Sequence, residues 1–271
     1  MYKLKLGRSL SFDNDQFYGE LEKLSQLKYD SLDFDLCAHW TDEAKENELY
    51  KHLEKGLDAI RGSGLFFNGV HLSFGPRWDY SLPDEKKRNE ILHRTKELIE
   101  RIDVYHPNCY IFHGSFEPIS DEERGIRISA LKESLNKLVS MTSTAFCIEN
   151  LPRTCLLNTV DEAVHVVDAV KGIKICLDSN HFLTEKSEDA VTKLGERIYT
   201  LHISDHDYIN ERHWMPKNGQ IDWKKFLLAL KNTGYNGIFN YEISTASSSD
   251  IKENYNRLLE EFNEYLLMGG V

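Results

Sequence analysis

At 271 residues, with 41% apolar residues and 13 phenylalanines, the chain can bury a sizeable core as one large domain or two small ones. Its formal net charge of −11 argues against a long polyanionic partner such as nucleic acid, which draws on clustered Lys and Arg. No apolar run is long enough to span a bilayer, and the start MYKLKLGRSLSFDNDQ lacks the apolar middle of an export signal, so no membrane partner and a cytoplasmic location are expected.

In chain order, eight short apolar runs recur, at residues 3–9, 31–37, 68–74, 109–113, 145–150, 173–178, 198–204 and 237–243. Their starts lie roughly 25 to 40 residues apart, the size of a βα unit. Helical patterns fill the gaps. Residues 84–104 place Ile91, Thr95, Leu98 and Ile102 on one face. Ser120 to Glu123 and Thr159 to Glu162 read as capping boxes, and Asp222 as the cap of a helix carrying Phe226, Leu227 and Leu230. The last helix shows Ile251, Tyr255, Leu258, Leu259, Phe262 and Leu266. Five cysteines form no CxxC pair, and Cys109, Cys147 and Cys176 sit in apolar runs as small buried residues. No linker or low-complexity tract divides the chain. Eight strand–helix alternations predict an α/β fold: a single (β/α)8 TIM barrel over residues 1–271. An open doubly wound sheet is the rival. It usually carries a Gly-rich phosphate turn, and neither GxGxxG nor GxxxxGK[ST] occurs.

The strand ends carry the chemistry. They read His71, His113, Glu149, Asp178 with His181, His202, and Glu242. The densest stretch, TLHISDHDYINERHW, holds His202, His206, His213, Asp205 and Asp207. A barrel would aim Glu149, Asp178 and Glu242 into one mouth, where unpaired carboxylates are costly and raise one another's pKa values. A divalent cation would relieve the conflict, with His202 as a nitrogen ligand. Three oxygens and one nitrogen suit Mn2+, Mg2+, Co2+ or Zn2+. Any one of these residues alone reads as readily as a helix cap or a hydrogen-bonded core group; four at successive strand ends favour a metal.

The fifth-strand IEN, sixth-strand LDxxH, seventh-strand LHISD, the following RHW-x-P-x-x-G-x-IDW and the eighth-strand YEIS carry a resemblance over nearly the whole chain. It is to the xylose-isomerase-like TIM-barrel superfamily, the sugar isomerase/epimerase and apurinic-site endonuclease group. The resemblance implies a divalent metal held by Glu149, Asp178, His202 and Glu242, and a small sugar or polyol substrate. It implies isomerase or epimerase chemistry through a metal-stabilised enediolate, with Glu149 and Glu242 as the catalytic acid/base pair. His181 would orient a substrate oxygen, His71, His113 and His213 would line the substrate site, and a homodimer is the common assembly. Trp78, Phe116 and Trp214 follow strand ends and are expected to wall the sugar, with ordinary loop packing the competing reading.

Two other functions stay open. Apurinic-site endonucleases of the superfamily use three zincs, with extra ligands matching His71, His113, His181 and His213; here Glu211 stands where their seventh loop has Asp. A non-catalytic metal or sugar binder is the third. Pro216-Lys217-Asn218-Gly219 departs from the relatives' Pro-Gly-x-Gly. Lys217 there implies either an altered loop or contact with an anionic substrate group.

Overall fold

The computed structural model describes residues 1–13 and 16–270; Asn14, Asp15 and Val271, all within the span expected to form the barrel domain, lie outside the described residues. Eight parallel strands close into a barrel in chain order: β1 (Lys5–Ser11), β2 (Ser31–Asp35), β3 (Phe66–His71), β4 (Cys109–His113), β5 (Ala145–Glu149), β6 (Ile173–Asp178), β7 (Ile198–Ile203) and β8 (Ile238–Tyr241). β8 closes onto β1 from Lys5↔Ile238 to Arg8↔Tyr241. The described helices are α1 (Phe17–Gln26), α2 (Glu43–Tyr50), α3 (Leu53–Ser63), α4 (Glu85–Ile102), α5 (Asp121–Leu138), α6 (Val160–Asp168), α7 (Ser187–Leu194), α8 (Trp223–Asn232) and α9 (Ser248–Leu267). None of them is long and apolar enough to cross a membrane.

The eight expected strands are the eight observed, with two displaced. β1 starts and ends two residues later than expected, because its pairing with β2 runs on to Ser11↔Asp35. β3 starts two residues earlier, opposite Ser31, and the register slips between Leu32↔Phe67 and Asp33↔Gly69. Asn68 is the extra residue of that bulge. Its amide donates to Asp33 (2.7 Å) and Thr200 (3.1 Å).

The helix starts follow the predicted caps. Ser120 accepts from the Glu123 N–H, Thr159 from Glu162 and Asp222 from Lys225. Each such cap contributes about 1 kcal/mol. Glu162 does not reach back to its own cap; it binds the Leu157 N–H (2.8 Å) and Arg124 (2.6 Å), tying α6 to α5.

Strand period decides what faces inward. On β5, Cys147 and Glu149 share one side and Phe146 and Ile148 the other; Phe146 and Ile148 join the large apolar core. Cys109, Ile111, Cys147 and Cys176 pack as a separate buried cluster, and all five cysteines are free. Nearer the strand carboxyl ends, this alternation delivers Asp35, His71, His113, Glu149, Asp178 and His202 in neighbouring registers: Asp35↔His71, His113↔Glu149 and Asp178↔His202.

Candidate functional site

Glu149 is the hub. It is fully buried at the end of β5. His71 Nε2 lies 3.0 Å and His113 Nε2 3.2 Å from its Oε2, and His202 Nδ1 lies 3.1 Å from its Oε1. Glu242, just past β8, brings its Oε2 to 3.3 Å from the same His202 nitrogen. Asp178 joins from the next strand. Its Oδ2 lies 3.5 Å from His181 Nε2 and, though buried, has no hydrogen-bond partner among the described residues. The Asn of the fifth-strand IEN clamps that segment: Asn150 accepts from the Asp178 N–H (2.8 Å) and donates to its carbonyl (3.0 Å). His181 Nδ1 donates to the Asn150 carbonyl (2.8 Å), turning Nε2 toward Glu211 (3.3 Å).

The electrostatics differ from simple carboxylate repulsion. Burial opposes ionisation of Glu149, but His202, His113 and His71 hold its pKa well below the usual carboxylate range. Burial likewise opposes ionisation of Glu242, and His202 outweighs it. Burial works against a charged His71, yet Glu149 pushes it up to about 9; Asp178 and Glu211 push His181 up to about 10 against the same penalty. Burial keeps His113 below the ordinary imidazole value. Only Asp178 behaves as the sequence reading expected, raised well above the carboxylate range, chiefly by burial and further by Glu242 and Glu149. The histidines therefore share the compensation that sequence reasoning assigned to a cation alone.

A cavity of about 340 Å³ opens above this cluster. Glu149, Glu242, His71, His113, His181 and His213 line it, while Asp178 and His202 are fully buried behind them. His213 Nδ1 donates to the Glu242 carbonyl (3.2 Å). Phe116 lines the cavity with Phe74, and Trp40 packs on both rings at centroid distances of 5.7 and 4.8 Å. The two tryptophans expected to wall the site do not line it. Trp78 is 2% exposed, its indole N–H bound to Glu46 (3.1 Å) and its ring under Arg94. Trp214 is 39% exposed and lies under Arg212. The interior claims the Trp78 ring, whereas Trp214 stays on the outer face with Arg212 over it, and spacing from a strand end reveals neither outcome.

Sequence reasoning passed over Arg153, Asp35 and Cys37, which also line the cavity. Arg153 spans the rim, pairing with Glu117 (2.6 Å) and with Glu211. Cys37 Sγ lies 3.2 Å from His71 Nδ1. The one available signal was charge inside an apolar run, the two aspartates of SLDFD.

Behind His213 the loop is built on Asp205. This fully buried carboxylate accepts from the backbone N–H groups of His206 (2.9 Å), Lys217 (2.8 Å) and Ile221 (3.2 Å) and from the Trp223 indole (2.8 Å). The IDW motif is thus the partner of the seventh-strand Asp. Lys217 adopts φ 78°, a left-handed conformation suited to glycine, so the lysine sits in a strained position here. Its ammonium pairs with Glu261 on α9, not with the cavity, which removes the suggested role toward an anionic substrate. Lys217→Gly is expected to raise stability by up to about 1 kcal/mol, because relief of the left-handed strain exceeds the loss of an exposed ion pair; denaturant unfolding checks this. Gly219→Ala should do the opposite. A Cβ there overlaps the Asp205 carboxylate and the His206 carbonyl oxygen, so a loss on the order of 2 kcal/mol is expected in the same assay.

Comparison with known proteins agrees with this architecture. The chain is 22% identical over 165 residues to an uncharacterized protein of Methanocaldococcus jannaschii, covering 60% of this chain and spanning 62% of that protein's length. It is 22% identical over 262 residues to an inosose isomerase of Bacillus velezensis, covering 89% of this chain and 88% of that protein. The crystal structure of a D-tagatose 3-epimerase-like protein superposes with a TM-score of 0.82 at 19% identity, covering 97% of this chain and all of that one. The family model described as xylose isomerase-like TIM barrel matches residues 21–265, and the chain belongs to that family.

Proposed function

We propose that this protein is a divalent-metal-dependent sugar isomerase or epimerase acting on a small sugar or polyol. The observation carrying the reading is the meeting of Glu149 and Glu242, from non-adjacent strands, at one nitrogen of His202. Glu149, Asp178, His202 and Glu242 would hold the cation. The donor set fits a Mn2+, Mg2+, Co2+ or Zn2+ ion, and the buried, unpartnered Asp178 Oδ2 is a polar atom in want of a ligand. Once bound, the ion supplies Lewis acidity to a carbonyl and its neighbouring hydroxyl. The chain's own groups do the rest. Glu149, kept ionised by its histidines, is ready to take a proton from the carbon beside a carbonyl. Glu242, in the same cavity and partly open to solvent, returns a proton to the reacting pair of carbons after taking one up through the cavity mouth, and the proton held by Glu149 is returned to solvent to close the cycle. His181, fixed by Asn150 and Glu211, orients a substrate oxygen. Phe74 and Phe116 offer ring faces to the apolar side of a sugar. The inosose isomerase and epimerase-like relatives support this substrate class.

One observation favours a second reading. His71, His113 and Glu149 place donor atoms within 4.8 Å of one another, and so do His181, Glu211 and His213. Those sets would suit two further zinc ions of an apurinic-site phosphodiesterase. Against it, Glu117, Glu211 and Asp35 make the mouth acidic, and Arg153 is already taken by two of those carboxylates. Turnover with Mn2+ against D-tagatose, an inosose and abasic-site DNA separates the readings. A sugar product supports the first; strand cleavage with three bound zincs replaces it; neither leaves a non-catalytic binder.

Metal binding should release protons. Burial opposes a charged His202, but its neighbours, Glu242 and Glu149 among them, raise it above the ordinary imidazole value and so favour the form that carries the extra proton. A ligating histidine must be neutral, so affinity is expected to rise with pH. Calorimetry of Mn2+ binding in buffers of unequal ionisation heat should read net proton release, to which Asp178, also raised by burial, contributes beside His202. No release would remove both His202 and Asp178 from the ligand set.

A further inference from the structure

We infer that Asp33 is a positioning residue for the metal centre: from inside the barrel its carboxylate holds the far nitrogen of His202 and turns Nδ1 toward Glu149 and Glu242. The inference rests on the metal-dependent reading above. His202 Nδ1 faces Glu149 at 3.1 Å and Glu242 at 3.3 Å, while Nε2 faces Asp33 Oδ2 at 3.4 Å. Both residues are fully buried. Neither Asp33 Oδ2 nor His202 Nε2 has another hydrogen-bond partner among the described residues, so each is the polar neighbour the other needs. A carboxylate only accepts, so the ring proton belongs on Nε2 and the Nδ1 lone pair is left for a cation. Such a carboxylate behind a ligating imidazole fixes its tautomer and orientation.

Asp33 is itself held. Asn68, the bulge residue of β3, donates to Asp33 Oδ1 (2.7 Å) and to Thr200 Oγ1 (3.1 Å), two residues before His202 on β7. Gly69 leaves the space: a Cβ there would sit 2.9 Å from the Asp33 carboxyl.

This arrangement makes Asp33→Asn a sharp test. The Asn68 amide keeps an oxygen at the Oδ1 position, so the new amide nitrogen takes the Oδ2 position and donates to His202 Nε2. That drives the ring proton onto Nδ1, where a cation would bind. Mn2+ titration of both proteins by calorimetry at pH 7.5, with melting temperatures recorded, is expected to show affinity reduced by about 10- to 100-fold in the variant. Affinity within twofold of wild type overturns the role. Should Asp33→Asn fail to fold, nitrogen-15 NMR of the zinc-loaded wild-type protein decides: an Nε2–H with Nδ1 on the metal supports it, and zinc on Nε2 overturns it. A purely packing role for Asp33 would lower the melting temperature without moving that proton. Wild-type protein that binds neither Mn2+ nor Zn2+ would remove the metal-dependent reading itself, and this role with it.

Discussion

Glu149→Gln and Glu242→Gln are each expected to lower turnover of a responding sugar by about a thousandfold or more, the range for losing a positioned acid or base. Each substitution keeps the shape and removes the group that carries the proton. At Glu149 it also swaps an acceptor for an amide facing His71, His113 and His202, at 3.0 to 3.2 Å. The Glu149 variant should therefore also bind Mn2+ more weakly. Among the described residues the Glu242 carboxylate pairs with His202 alone, and it is partly open to the cavity, with 24% of its side chain exposed, so its variant should retain more of the metal. Measuring kcat at saturating Mn2+ beside a metal titration separates lost chemistry from lost metal. Full activity in either variant would end the proton-transfer assignment.

Asp205→Ala is expected to have the largest effect on stability. Four donors converge on a carboxylate with no solvent exposure. Removing it leaves buried N–H groups unsatisfied at about 1–3 kcal/mol each, moderated where the loop relaxes into water. A net loss of about 4 kcal/mol is a reasonable central value, which lowers the melting temperature on the order of 10 °C for a chain of this size. Activity should fall with it, because the Asp205 backbone also pairs both ways with Trp214 (2.8 and 3.0 Å), next to His213. Calorimetric melting beside an activity assay checks both parts. An unchanged melting temperature would mean that the loop folds without this buried acceptor.

Much of the barrel was legible in the chain because its signals are local. A buried strand is a short apolar run, a helix start is a hydroxyl or carboxyl side chain three residues before the backbone N–H it accepts from, and the two alternate eight times. The residues ending those runs were equally legible, since period 2 sends Glu149, Asp178 and His202 to the side opposite the apolar neighbours. Lys217 reads as a departure from the glycine of the relatives' loop, and its left-handed backbone is held by a hydrogen bond to Asp205, a partner 12 residues away that spacing does not reveal.

What only the tertiary structure decided is partnership. Glu149 is neutralised by His71, 78 residues away in the chain, and by His202, 53 residues away; no spacing rule links them. The same closure turned Trp78 inward onto Glu46 and brought Trp40, Phe74 and Phe116 together. Apolar runs and caps are fixed by forces acting within a few residues. Which charge meets which histidine depends on strand register around a closed barrel, and that is set only when all eight strands have paired.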